Sequence, residues 1–285
     1  MSRRTLIVGA AATGLSACTP SLGAFNRFAP HDEGAVLAAE DIAFGAGPRQ
    51  KLDVYAPAGG VQRAPVLVFF YGGSWRSGAK KDYGFLGDAF ASRGFVTVVP
   101  DYRIAPDVFP SFLEDGAAAV AWVQSEIASF GGDPDRIVLA GHSAGGYIAV
   151  MLALDGAYLS VAGADIGKIR GVAGLAGPYD FLPFDVDATR EAFGSVTDPL
   201  TTQPTHFARA DAPALWLGWG EKDETVGRRN IDALSAAQRQ VGGSVETKLY
   251  PNLGHVGILL ALSRPFRGRA PVLDDVTAFA ERVTA

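Results

Sequence analysis

The sequence predicts an α/β protein, a mostly parallel sheet with helices on both faces. Two observations carry this. Short apolar runs recur at 66–70, 95–99, 137–140, 172–176 and 214–219, as expected of strands buried on both faces. Segments of helical period fall between most of them, and that alternation is the signature of strand–helix–strand units. The length of 285 residues with 48% hydrophobic content then allows one large core rather than several small ones.

Each element has its own justification. Residues 41–56 alternate around a Gly47-Pro48 turn and read as a hairpin of edge strands. The strand at 66–70 runs directly into Tyr71-Gly72-Gly73. Phe85, Leu86, Ala89 and Phe90 share one face of a helix over 83–93, which Gly94 can end. A second helix over 111–130 carries Phe112, Ala119, Trp122, Val123 and Ile127, and Gly131-Gly132-Asp133-Pro134-Asp135 is a turn. Strand 137–140 leads through a sharp turn into a helix at 144–154. Later come helix 226–240, strand 245–250 and a terminal helix at 272–283. Residues 180–210 break the rhythm with Phe181, Pro183, Phe184, Pro199, Pro204 and Phe207. They read equally as a short lid or as an ordinary excursion between two strands.

The start of the chain has a different character. Arg3 and Arg4 precede a short apolar stretch, and Leu15-Ser16-Ala17 leads to the single cysteine, Cys18. Residues 1–17 therefore read as a signal peptide, too short in its apolar part to span a membrane as a mature helix. The order matches a bacterial lipobox with Cys18 as the lipidated residue, and the Ser-Arg-Arg start is similar to a twin-arginine signal. A plain signal peptide and a hydrophobic first helix that happens to end in Cys are the other readings. The expectation is an exported, envelope-located lipoprotein anchored to a bacterial membrane. Residues 18–40 read as a tether and loosely attached segment, and 41–285 as one domain.

Several functions are disfavoured. The net charge is −5 and no basic run exceeds two residues, so no electrostatic footprint for nucleic acid exists. Four scattered histidines and one cysteine offer no metal-binding pattern. Phosphate-loop and dinucleotide signals are missing, so no cofactor is expected.

The chemistry concentrates in Gly141-His142-Ser143-Ala144-Gly145. A serine hydroxyl needs exposure, a base and support for the oxyanion it creates. A strand-to-helix turn flanked by glycines supplies the exposure at Ser143. Among the histidines, His255 in the loop after strand 245–250 is the candidate base. His31 falls in the N-terminal segment, His206 in the possible lid, and His142 reads as a packed turn residue. Asp223, after strand 214–219, is the candidate acid, with Glu221, Glu224 and Asp180 as rivals. The backbone amides of Gly73, Ser74 and Ala144 are the candidate oxyanion donors. Trp75, Phe181 and Phe184 are candidates for an apolar substrate pocket, with core packing as the alternative, favoured for Trp75.

With these motifs in place, the chain resembles the carboxylesterase/lipase-like branch of the α/β-hydrolase superfamily, close to bacterial esterases and kynurenine-formamidase-like proteins. The resemblance rests on Tyr71-Gly72-Gly73-Ser74-Trp75, Asp101-Tyr102-Arg103-Ile104-Ala105-Pro106, the turn from Gly131 to Arg136, and the elbow from Gly141 to Gly146. It implies an α/β-hydrolase fold and hydrolysis of a small ester through Ser143, His255 and Asp223. One position departs: Tyr71 stands where these relatives carry a loop-organising histidine. The retained Gly-Gly backbone keeps activity in the expectation, with altered rate or preference. An arylformamidase-like amidase, a peptidase and an inactive binding protein are the competing readings.

Overall fold

The computed structural model describes residues 22–285, so the signal segment and Cys18 lie outside the described residues. The chain opens with helix α1 (Leu22–Phe28), then strands β1 (Ala35–Ala43), β2 (Lys51–Pro57) and β3 (Ala64–Phe70). Helix α2 (Gly84–Ala91), β4 (Val96–Pro100), α3 (Ser111–Glu126), β5 (Gly132–His142) and α4 (Ala144–Leu154) follow. After α5 (Ala157–Val161) come β6 (Ile169–Leu175), α6 (Asp187–Phe193), β7 (Ala214–Gly220) and α7 (Arg229–Gln240). Strand β8 (Val245–Tyr250), α8 (His255–Leu260) and α9 (Val272–Thr284) complete it.

The eight strands form one sheet in the order β1-β2-β4-β3-β5-β6-β7-β8. Strands β3 to β8 run parallel, while β2 pairs antiparallel with both β1 and β4. The α/β expectation therefore holds. Apolar sequence explains the middle of the sheet: Val66 through Phe70 on β3 are fully buried. Helix α4 is buried along its whole length and lies against β5 and β6. Its small residues permit that contact, since a Cβ on Gly146 would sit 3.2 Å from the Gly141 carbonyl oxygen.

Chain direction across the sheet reverses between β3 and β5. From β3 the next strand goes one way, to β4, and the following strand returns to the other side, to β5. Such switch points open a crevice at the carboxyl ends of the strands. The loops after β3 and β5 both lead out there, in a register that pairs Phe70 with Gly141.

Two expectations change. Part of the segment read as a tether is packed: β1 starts at Ala35, and Phe25 of α1 sits edge-on to Phe85 at 5.3 Å and stacks on Phe266 at 5.7 Å. Polar links secure it, with Asn26 bonded to Phe85 N and Lys81 O, and Asp32 paired to Arg267 at 2.6 Å. Aromatic contacts and these polar links outweigh the flexible composition. In the 180–210 segment, α6 inserts fully buried Phe193 against Trp75 and Tyr147, with ring centroids 4.8 and 5.5 Å away. That packing makes it an excursion built into the body.

Candidate active site

Ser143 lies between β5 and α4 with φ 55° and ψ −123°, a conformation that is strained for a residue with a side chain. The backbone on both sides of it is packed closely. A Cβ on Gly141 would fall 2.2 Å from the Gly145 carbonyl oxygen, and one on Gly145 would fall 2.0 Å from that of Phe70. The Ser143 amide donates to Leu175 O at 2.9 Å, tying the turn to β6.

The structure brings the three sequence-selected side chains together. His255 Nε2 is 2.9 Å from Ser143 Oγ, and His255 Nδ1 is 2.8 Å from Asp223 Oδ2. Asp223 follows β7 and His255 follows β8, and these two loops are zipped. Glu221 N donates to Tyr250 O at 3.0 Å and Lys222 N to Leu253 O at 2.9 Å. Gly220 permits the approach, since a Cβ there would be 2.3 Å from Leu253 O. The other Asp223 oxygen, Oδ1, accepts from the Thr225 and Val226 amides at 2.8 and 2.9 Å. Burial works against the Asp223 charge, but the bonds from His255 and these amides prevail and lower its pKa below the usual carboxylate value. Rivals Glu221 and Glu224 are exposed to solvent, and Asp180 is held at the start of α7 by its backbone amide, which donates to Asn230 Oδ1, while His255 Nδ1 is taken by Asp223.

His142 has more to do than fill a turn. Its Nε2 is 2.8 Å from the carbonyl oxygen of His255. A carbonyl only accepts, so Nε2 carries the proton. Burial, assisted by the neighbouring His255 ring, pushes its pKa down to about 3, and the ring stays neutral. His142 thus braces the backbone that carries the facing imidazole. His31 instead binds Asp88 at 2.6 Å beside α1, and His206 is exposed.

The loop after β3 turns sharply through Gly73, Ser74 and Trp75, all at positive φ. Gly73 and Ser74 line one cleft with Ser143 and His255, and Ala144 opens α4 directly after the serine. The Gly72 amide is taken by the Tyr83 hydroxyl. Tyr71 is fully buried, stacked on Tyr102 at 4.6 Å, and donates its hydroxyl to Asp101 at 2.6 Å. Arg49, at the β1–β2 hairpin, donates to the Tyr71 hydroxyl at 2.6 Å, to Gly78 O at 2.8 Å and to Tyr102 O at 2.7 Å. Lys80 N donates to Asp101 at 2.8 Å, so the loop is clamped at both ends. Nothing in the local sequence beside the Gly47-Pro48 turn marks Arg49 for this task.

The cleft has a volume of about 760 Å³. Trp75, Phe181 and Phe184 do not line it. They join the aromatic cluster around Phe193, with Trp75 and Phe181 buried. Apolar residues beside a site look alike in sequence whether they face the cleft or the core. The cleft wall comes instead from α1, α8 and Phe266.

Sheet order and site together define an α/β hydrolase. Solved structures agree on the fold: Esterase B from Lactobacillus rhamnosis superposes with a TM-score of 0.80, at 20% identity, over 92% of this chain and 90% of that one. The chain belongs to the BD-FAE family, whose model matches residues 52–237, within the carboxylesterase-like branch. It is 30% identical to a probable isoprenylcysteine alpha-carbonyl methylesterase of Oryza sativa subsp. japonica, over 82% of this chain and 60% of that protein. It is also 30% identical to Esterase LipQ of Mycobacterium tuberculosis, over 79% of this chain and 58% of that protein. The chain thus spans about 60% of the length of the curated relatives it matches.

Proposed function

We propose that the protein is a serine carboxylic-ester hydrolase working through an acyl-enzyme. The observation that carries this reading is the continuous chain of hydrogen bonds from Ser143 through His255 to Asp223. Ser143 Oγ attacks the ester carbonyl while His255 Nε2 takes its proton. The amides of Gly73, Ser74 and Ala144 receive the oxyanion. His255 gives the proton to the leaving alcohol, and a water deprotonated by the same imidazole releases the acid. Asp223 holds Nδ1–H and stabilises the imidazolium. The esterase names of the similar proteins support the same reading. A formamidase would use the same three side chains. On the sequence order at Cys18, the chain is exported and lipid-anchored there, and palmitate labelling that persists in Cys18→Ala would overturn this.

The activity test is a panel of p-nitrophenyl esters, N-formylkynurenine and an aminoacyl anilide. Ester turnover is expected, and its loss in Ser143→Ala. Formamide turnover without ester turnover, or unchanged rates in Ser143→Ala, refutes the reading. Asp223→Asn should lose ~10⁴-fold in kcat. Its amide oxygen would stay on the two backbone N–H groups, its NH₂ would face Nδ1, and the imidazole would hold its proton on the wrong nitrogen. Glu221→Gln and Glu224→Gln should stay near wild type.

A further inference from the structure

The cleft beside Ser143 has two unlike sides. One holds Ser143, His255 and the polar backbone of the loop after β3. The other is apolar: Leu22 and Phe25 from α1, Val256, Leu259 and Leu260 from α8, and Phe266. Helix α8 starts at His255, so Leu259 lies one turn beyond the imidazole on the same face. The α1 side is fixed in place. Asn26 accepts from Phe85 N at 2.7 Å and donates to Lys81 O at 2.9 Å, and Phe25 lies edge-on to Phe85 and stacked on Phe266. At about 760 Å³ the cleft lies high in the range of small-molecule sites, roughly 300–1,000 Å³. An acetyl or ethyl group would leave most of that apolar surface wet.

Asp82 is the one ionic side chain among the described lining residues, the two imidazoles aside. It sits against the start of α1, where a Cβ on Gly23 would be 2.6 Å from its Oδ1. Its carboxylate has no ion-pair partner among the described residues. Lys81 offsets its charge only through space, so an anionic group on a bound molecule would be repelled by it, whereas a neutral one would not.

We propose that α1 is the substrate-selecting wall of this site: the cleft takes neutral esters with an extended apolar group that packs against Leu22, Phe25, Leu259, Leu260 and Phe266, and Asp82 rejects esters with an anionic far end. This rests on the esterase reading above. It adds which esters are taken and which element selects them.

The test compares kcat/KM for p-nitrophenyl acetate and octanoate, and for ethyl and octyl acetate, so that acyl and alcohol lengths vary separately. Wild type should prefer the eight-carbon member of at least one pair tenfold or more. Phe25→Ala should lower kcat/KM for that ester at least tenfold and for its short partner less than threefold. The retained short-ester rate doubles as proof of folding. Leu22→Asp, at a helix start that tolerates an acid, should give the same split if Phe25→Ala does not fold. Asp82→Asn should raise hydrolysis of the p-nitrophenyl half-ester of suberic acid at least fivefold relative to the octanoate. Equal loss for short and long esters in the α1 variants, or no length preference in either wild-type pair, overturns the proposal while Ser143-dependent esterase activity stands. No change of the suberate ratio in Asp82→Asn overturns the part played by Asp82. Absence of any Ser143-dependent ester turnover brings down the esterase reading and this proposal with it.

Discussion

In the turn that carries Ser143, main chain packs on main chain. The carbonyl oxygens of Gly145 and Phe70 lie where side chains on Gly141 and Gly145 would have to go. The loop after β3, less than one residue's width away, is held mainly by side chains. Arg49, Asp101 and Tyr102 reach in from two other loops to grip Tyr71, Gly78 and Lys80. The two halves face each other closely, since a Cβ on Gly72 would be 3.0 Å from Ser143 Cβ. One half depends on side chains being absent, the other on their being present. The first should break all at once when anything is added, and the second should weaken in steps as groups are removed.

The largest expected effect tests the first half. Gly145→Ala places a methyl 2.0 Å from Phe70 O and 2.4 Å from Tyr71 O, both backbone. Nothing there can rotate away, so α4 must move off the end of β3. We expect insoluble protein, or activity below 0.1% of wild type, on the order of the ~4 kcal/mol ascribed to rare, severe substitutions. A soluble variant with more than a tenth of wild-type activity would show that the turn yields.

Removing the clamp should do less. Arg49→Ala deletes three donated bonds around the oxyanion loop, and displacement of one oxyanion donor costs ~10²–10³ in kcat at most. We expect kcat to fall ~10–100-fold with KM within threefold, and Arg49→Lys to recover part of it. Tyr71→Phe should cost less again, because Arg49 and Asp101 are already 3.6 Å apart and can pair directly. A KM effect without a kcat effect would detach the clamp from the reaction.

The smallest effect concerns stability rather than rate. His142 titrates near 6.5 when unfolded but near 3 when folded, chiefly through burial. Between those values the unfolded chain binds a proton that the folded chain refuses. Stability contributed by the neutral ring is therefore complete above pH 6.5 and falls as pH drops towards 3. Denaturation midpoints from pH 6.5 to 4 should show a slope up to ~1.4 kcal/mol per pH unit steeper in wild type than in His142→Asn. Equal slopes would mean that the ring titrates in the folded state.

The contrast between the halves also explains what sequence could reveal. Five parallel strands and the helices between them follow from apolar runs and local period. Ser143, Asp223 and His255 stand out because each follows a recognisable strand, and strand order brings those ends together. Arg49 left no such trace: its partners lie at 71, 78, 101 and 102, and no local pattern links a hairpin turn to them. Helix α1 was missed for a related reason. It has only seven residues, none buried, so its place on the cleft comes from Phe85 and Phe266, far along the chain. Trp75, Phe181 and Phe184 misled in the opposite direction, since composition names an aromatic without saying which side of a loop it faces.

The bond from His142 Nε2 to the His255 carbonyl has a consequence for how such a site survives change. Nucleophile and base ride on loops 112 residues apart in sequence, and surface loops drift as chains diverge. Here the gap between them is spanned by a single imidazole attached next to the nucleophile itself. It works as a gauge: together with the Lys222–Leu253 bond, its length sets how far apart the reacting pair stands. Insertions at 251–254 that leave both bonds whole should leave Ser143 and His255 in step.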